Sequence, residues 1–383
     1  MFDIVPEKDI VEGRATDAYF LRTEETLTSV GRNPTVVAEV TADQFPTGSF
    51  ELLAGTKDAA HLLSGHDLDV NAIPEGTLFD GGPVVQIEGP YLEFCRLETS
   101  LLGFLSHASG MATAALEVRR AAPDTPVFSF GARHVHPSIG GVVDRSAILA
   151  GLDGFSHVAA GDLMDRDASG TMPHALMLAF GHGNQEDAWR AFDEAVDDAV
   201  PRIALCDTFD DETDEALRAA ELGFESVRID TTASRRGDFR HIIRETRWEL
   251  DAAGHEDVNL FVSGGLSPAS IRDLRDVVDG FGIGGYISNA NPVDFALDIV
   301  EIDGEPIAKR GKLSGRKQVY RGPDGTHHIG LADRPGPSDG DPLLKPLIRD
   351  GSIVADFDFD AAIQRASRDA ERVDFGVDYA NDE

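Results

Sequence analysis

The chain has only two cysteines in 383 residues, Cys95 and Cys206. They are too few for a disulfide framework or a four-thiolate zinc site, and they favour a reducing compartment. Lysine is almost as scarce. Six lysines leave arginine to supply nearly all of the 34 positive charges, against 68 Asp and Glu and a formal net charge of −34. Without a basic footprint, nucleic acid is excluded as the main partner. No apolar run approaches the roughly 18 residues of a membrane helix, so no membrane partner is expected. The opening "MFDIVPEKDIVEG" has no basic stretch followed by an apolar one, so a cytoplasmic location is expected. A charge excess of this size opposes compaction, and salt screens it, with a Debye length of about 3 Å at 1 M. A halophilic, salt-rich cytoplasm is the expected setting. Against these scarcities, 42% of residues are hydrophobic, enough for a sizeable core.

Residues 1–115 mix strand-like pieces ("PTVVAEVTA", "GPVVQIEGP") with a helix-like one, "FELLAGTKDAAHLLSG". From about 116 to 300 short apolar runs alternate with amphipathic helical patterns. The runs are "TPVFSFG", "FSHVAAG", "RIALCD", "ESVRID", "VNLFVSGG" and "FGIGGYI", and the helices include "NQEDAWRAFDEAVDDA", "DETDEALRAAELG" and "SPASIRDLRDVVDG". This rhythm predicts right-handed βαβ units on a parallel sheet. Six units favour a closed or nearly closed barrel. Residues 301–383 show hairpin signals with Gly turns and a final helix. They are expected to pack back on the N-terminal part. The fold class is α/β: an irregular α/β barrel plus a smaller discontinuous α/β domain, α+β and sandwich-like.

In a parallel barrel, chemistry collects at the carboxyl ends of the strands. Each apolar run ends in such residues: Arg133 and His134 in "FGARHVHP", then Asp162, Asp207, Arg228 with Asp230, Ser263 with Gly264 and Gly265, and Gly284 with Gly285. Arg228 and Asp230 alternate with Val227 and Ile229, so both point into the barrel mouth. The two Gly turns let backbone approach an anion, and the amides of the helix after "SGG" add to that attraction. The carboxylates suit ribose hydroxyls or Mg²⁺ held through water and phosphate, although Asp207 equally suits a helix cap. Arg133 has the fork that matches a substrate carboxylate. His174, in "SGTMPHAL", is either a half-buried structural residue or a nucleophile near its pKa.

These segments resemble the type II phosphoribosyltransferase family, with its nicotinate, quinolinate and nicotinamide branches, and the nicotinate branch most. The resemblance rests on "ATDAYF", "ETSLLGFLSHASGMATAALEVRRAA", "FGARHVHP", "GTMPHAL", "RIDT", "SGGL" with "GIGG", and "KRGKLSGRKQVYR", in that order along nearly the whole chain. The resemblance implies transfer of a phosphoribosyl group from phosphoribosyl pyrophosphate to nicotinate in NAD salvage, with release of pyrophosphate. It implies a homodimer with shared sites, in which Tyr19 of the partner subunit stacks on the pyridine with Phe130. Arg133 would grip the carboxylate, Asp230 and Arg228 would contact ribose and phosphate, and Asp162 would join the substrate site. Ser263, Gly264, Gly265, Gly284 and Gly285 would cradle the 5′-phosphate. Mg²⁺ would ride on the pyrophosphate, with no direct protein ligand. His174 would carry a phosphoryl group in members coupled to ATP hydrolysis, and Asp207 is a further catalytic candidate. Quinolinate or nicotinamide as the base, and a non-catalytic nucleotide sensor, are the alternatives. His134 replaces the second strong cation of quinolinate enzymes. "DTTASRR" departs from the family's Asp-Ser-Gly pattern at Thr231, Arg235 and Arg236.

Overall fold

The computed structural model describes residues 2–44, 50–230, 237–323 and 325–372. The chain forms two compact units, residues 1–113 with 291–383, and residues 114–290.

The first unit is organised by a seven-stranded antiparallel sheet. Its order is Glu305–Pro306, Asp294–Ile302, Thr35–Gln44, Pro83–Pro90, Asp69–Ala72, Lys345–Arg349 and Ser352–Ile353. Strands from both ends of the chain therefore interleave, which makes the unit discontinuous. The β-branched run "TVV" suits a strand buried on both faces. Val36, Ala38 and Val40 join the core with Val85, Ile87, Leu63, Leu101 and Leu105. On the alternate face Glu39 is buried. It accepts from the Lys317 ammonium at 2.7 Å and the Gln86 amide at 3.0 Å. Lys317 belongs to a second, three-stranded sheet of Lys317–Arg321, His327–Leu331 and Asp341–Pro342. "FELLAGTKDAAHLLSG" is helical only in its second half. Glu51–Leu52 is a strand, and Gly55, at φ +85°, turns the chain into the Thr56–Leu63 helix.

The second unit carries six parallel strands in the order Gly154–Phe155, Val127–Ser129, Gly280–Ile283, Asn259–Ser263, Ser226–Ile229 and Ile203–Leu205. The helices Gln185–Ala195, Glu212–Glu221 and Pro268–Leu274 fall where their apolar periodicity places them. The sheet curls into a half-barrel. Among the described residues its edge strands, Gly154–Phe155 and Ile203–Leu205, do not pair with each other. The 169–172 segment bonds to one edge strand and to the strand inside the other: the Ser169 amide donates to the Phe155 carbonyl at 2.6 Å, and the Arg228 guanidinium to the Met172 carbonyl at 3.0 Å. Most of "FSHVAAG" is not a strand. The strand is Gly154–Phe155, and Val158–Met164 is a helix with Ala160 and Gly161 buried. No helix among the described residues is long and apolar enough to cross a membrane.

Candidate active site

A parallel sheet delivers the residues after each strand to one edge. Asp207 lies two residues beyond Ile203–Leu205. The Cys206 amide still joins the ladder, donating to the Arg228 carbonyl at 2.9 Å, so Asp207 is the first residue past it. Its Oδ1 is 2.9 Å from His174 Nε2, and its Oδ2 accepts the Asp230 amide at 2.8 Å. Asp230 Oδ1 in turn accepts the Ser263 hydroxyl at 2.8 Å. His174, Asp207, Asp230 and Ser263 thus form one hydrogen-bonded line across three neighbouring strand ends. Asp207 does not cap the following helix. Asp211 does that, accepting the Thr213 amide at 3.0 Å.

His174 opens the helix His174–Phe180, with Pro173 at its N-cap. Its side chain is 39% exposed and that of Asp207 only 2%. The bond to Asp207 holds the imidazole above its ordinary pKa, against partial burial, and the charges of Asp207 and Asp230 add to this. With the Nε2 hydrogen given to Asp207, the lone pair of the neutral ring rests on Nδ1, which faces away from that bond.

Behind this line lies a small cavity of about 30 Å³, lined by Phe128, Phe130, Phe261 and Phe281, by Ser169 to Thr171, and by Arg228. Arg228 points inward while Val227 and Ile229 are fully buried on the other face. Burial pushes the Arg228 guanidinium down, and Asp230 and Asp207 oppose that. Its Nε has no hydrogen-bond partner among the described residues. The Phe130 ring lies over Gly282, where a Cβ would come within 2.3 Å of it. The lining offers aromatic faces and one guanidinium, although about 30 Å³ is the room of roughly one water molecule, less than a pyridine ring needs.

The two Gly turns flank this edge. Gly264 and Gly265 have φ of +94° and +65°. A Cβ at Gly264 would meet Asp230 Oδ1 at 3.0 Å, and nothing lies within 4 Å of one at Gly265. Gly284 is packed against the His134 ring and Gly285 follows it into a short helical turn. The amides of the Pro268–Leu274 helix are less open than the sequence suggests. Ser267 and Ser270 form a capping box, and the Ser267 hydroxyl takes the Ser270 amide at 3.4 Å. An anion would therefore meet the Gly264–Gly265 turn itself.

Among the described residues, neither Arg133 nor Asp162 is hydrogen-bonded into this line. Arg133 is exposed on the 132–134 turn, with Nε 3.3 Å from His134 Nε2, and does not line the cavity. Asp162 is exposed on the Val158–Met164 helix. Tyr19 belongs to the first unit, 57% exposed, packed on Phe20 and 3.4 Å from Asp17 Oδ2. Thr231, Arg235 and Arg236 lie outside the described residues. Sequence reasoning missed Asp144. Fully buried, it accepts the Ser129 hydroxyl at 2.6 Å and the His157 amide at 3.0 Å, and so pins two strand ends. Its one signal is an acid inside the apolar pattern "GGVVDRSAILA". Among the described residues, no group of three or more His, Cys, Asp or Glu is placed to hold a metal ion.

Comparison with known proteins gives a consistent result. The model of the quinolinate phosphoribosyl transferase N-terminal domain matches residues 17–109, and that of its C-terminal domain matches residues 111–298. A nicotinate phosphoribosyltransferase of Mycobacterium tuberculosis is 32% identical over 350 residues, 84% of this chain and 76% of that protein. The crystal structure of a nicotinate-nucleotide pyrophosphorylase from Pyrococcus furiosus superposes with a TM-score of 0.94. It is 48% identical and covers 98% of this chain and 99% of that one. The human nicotinic acid phosphoribosyltransferase structure shares the fold at 22% identity, with a TM-score of 0.78 over 94% of each chain. Two family models that together span most of the chain, with relatives matched along most of their own length, place it in the type II phosphoribosyltransferase family, the quinolinate and nicotinate phosphoribosyltransferases.

Proposed function

We propose that the protein transfers the phosphoribosyl group of phosphoribosyl pyrophosphate to nicotinate, forming nicotinate mononucleotide and pyrophosphate in NAD salvage. The carrying observation is the aromatic-lined cavity in which Arg228 is, among the described residues, the only cationic lining residue. One guanidinium whose Nε has no partner among the described residues suits one carboxylate, as nicotinate has, better than the two of quinolinate or the neutral amide of nicotinamide. The names of the curated relatives support the same base. Arg133 and His134, on the exposed turn after Phe130, could supply a second pair of donors and favour quinolinate as the second reading.

In this reading Phe130, and Tyr19 of a second copy, sandwich the pyridine while Arg228 holds its carboxylate. Arg133 is left to the substrate's outer charges, and Asp162 to a ribose hydroxyl. The Gly264–Gly265 and Gly284–Gly285 turns take the 5′-phosphate, and Mg²⁺ enters bound to the pyrophosphate. The pyridine nitrogen forms a bond to C1 of the ribose as the C1–O bond breaks, its electron pair leaving with pyrophosphate. No general base is needed. Asp230 stabilises the positive charge that builds on the sugar, and positioning supplies the rest. Where ATP is coupled, Nδ1 of His174 takes the γ-phosphoryl group as its bond to ADP breaks, and Asp207 stabilises the resulting charge.

The test is the initial rate with nicotinate, quinolinate and nicotinamide, each with phosphoribosyl pyrophosphate, with and without ATP. Nicotinate should lead nicotinamide by about 10²-fold or more, because a site built around a charge penalises its absence. It should also lead quinolinate, whose second carboxylate would be left without a cation. A faster rate with quinolinate would overturn the choice of base. His174→Ala should abolish the ATP-stimulated part of the rate, and an unchanged stimulation would remove the phosphohistidine.

A further inference from the structure

Asp207 sits at a junction. On its strand side the sheet fixes it through Cys206. On its loop side three consecutive amides leave the ladder and need other acceptors. All three go to one carboxylate, that of Glu215. The Thr208 amide donates to Oε2 at 3.0 Å, and the amides of Phe209 and Asp210 donate to Oε1 at 2.8 and 2.7 Å. A fourth donor, the Gln185 side-chain amide, reaches Oε2 at 2.6 Å. The same amide also reaches the Leu205 carbonyl at 3.2 Å, which accepts the Trp189 indole at 3.2 Å as well. Glu215 is fully buried. A carboxylate removed from water is tolerated only when hydrogen bonds replace that water, and four donors do so here. It is not needed as a helix cap, since Asp211 fills that role. Nor is it needed as packing, which an apolar side chain would supply without the desolvation cost.

We propose that Glu215 is a positioning residue for the transfer reaction: it gathers the 208–210 amides so that the two oxygens of Asp207 meet His174 and the Asp230 amide together. Glu215 touches neither substrate nor reacting atoms, and it acts through Asp207. The inference rests on the reading that His174 and Asp230 face the substrate. It gives a reason for a buried acid in a helix whose sequence, "DETDEAL", reads as a solvent face.

The experiment follows the His174 imidazole by ¹H–¹⁵N NMR titration in the full chain, beside steady-state kinetics. Among the described residues, the charged groups acting on that ring are Asp207, Asp230 and Arg228. Glu215→Gln keeps the size but turns one acceptor oxygen into a donor that opposes the loop amides. The His174 midpoint should fall by about 1 unit as Asp207 loses its orientation. The kcat should fall by about 10²-fold, with KM for phosphoribosyl pyrophosphate within about twofold. Glu215→Asp, which keeps the charge one methylene short, should lie between. If Glu215→Gln does not fold, Glu215→Asp and Gln185→Met decide, each with a smaller fall in the same direction. A His174 midpoint unchanged in every variant that folds overturns the proposal, even if the melting temperature drops. A wild-type chain that transfers phosphoribosyl to no pyridine base defeats the functional reading, yet the titration still decides the role of Glu215.

Discussion

Replacing His174 by Gln isolates the charge in the bond to Asp207. Glutamine can still donate a neutral hydrogen bond at that position, so the change removes mainly the ability to become a cation. A hydrogen bond to a charged group contributes about 1.5–3 kcal/mol when shielded from water. The His174 ring is 39% exposed, so solvent screening cuts the charge-dependent part to about 1 kcal/mol or less. The sign follows from the raised pKa in the folded protein. Below the unfolded value of about 6.5 the ring is protonated in both states and the stabilisation is fully present. It is lost as pH rises through the folded value. The gap in unfolding free energy between wild type and His174→Gln should therefore be wider at pH 6 than at pH 9, by up to about 1 kcal/mol. Glu98, a carboxyl that burial pushes up to about 7, titrates in the same range, but it is common to both proteins and cancels. Urea unfolding followed by tryptophan fluorescence suits the measurement, because both tryptophans, Trp189 and Trp248, belong to the 114–290 unit that holds His174. A gap that stays flat, or widens toward pH 9, would refute the reasoning.

Three further outcomes follow from the same structure. Gly264→Ala should weaken phosphoribosyl pyrophosphate binding and destabilise by about 1–2 kcal/mol, since φ of +94° is strained for alanine and the new methyl presses on Asp230. Gly265→Ala, with open space around it, should show only the backbone cost, and isothermal titration with thermal melts compares the two. Lys317→Met strands the buried Glu39 and should cost about 3–5 kcal/mol in urea unfolding, while Glu39→Met with Lys317→Met should recover much of it. With 68 acids against 34 bases, the melting temperature should rise from low salt to molar KCl; a fall would remove the halophilic reading.

The sequence disclosed the fold wherever one period dominated. "RIALCD", "ESVRID" and "VNLFVSGG" read as parallel strands, and they are; Ile203–Leu205 is buried throughout, while the other two bury one face and leave the other part-exposed. "FSHVAAG" misled because a short apolar run without polar alternation fits a strand and a buried helix face equally well. The strand is only two residues long, and Ala160 and Gly161 bury one side of the helix that follows. The polar line was legible in part. The alternation in "VRID" placed Arg228 and Asp230 on the inner face, but nothing local says that Asp207 pairs with His174, 33 residues away. Arg133 and Arg228 both drew attention as cations at strand ends, and of the two it is Arg228 that lines the aromatic cavity. Glu215 was illegible because its partners are backbone amides, which carry no signature in the side-chain pattern.

The account stands on one arrangement, in which the strand ends of the 114–290 unit surround a sugar phosphate and an aromatic acid. A crystal structure with nicotinate mononucleotide bound tests it most directly. It should show the 5′-phosphate against the Gly264–Gly265 and Gly284–Gly285 turns, the ribose beside Asp230, and the pyridine carboxylate on Arg228 with the ring over Phe130. A mononucleotide bound away from those turns, or with its carboxylate far from Arg228, would contradict the account.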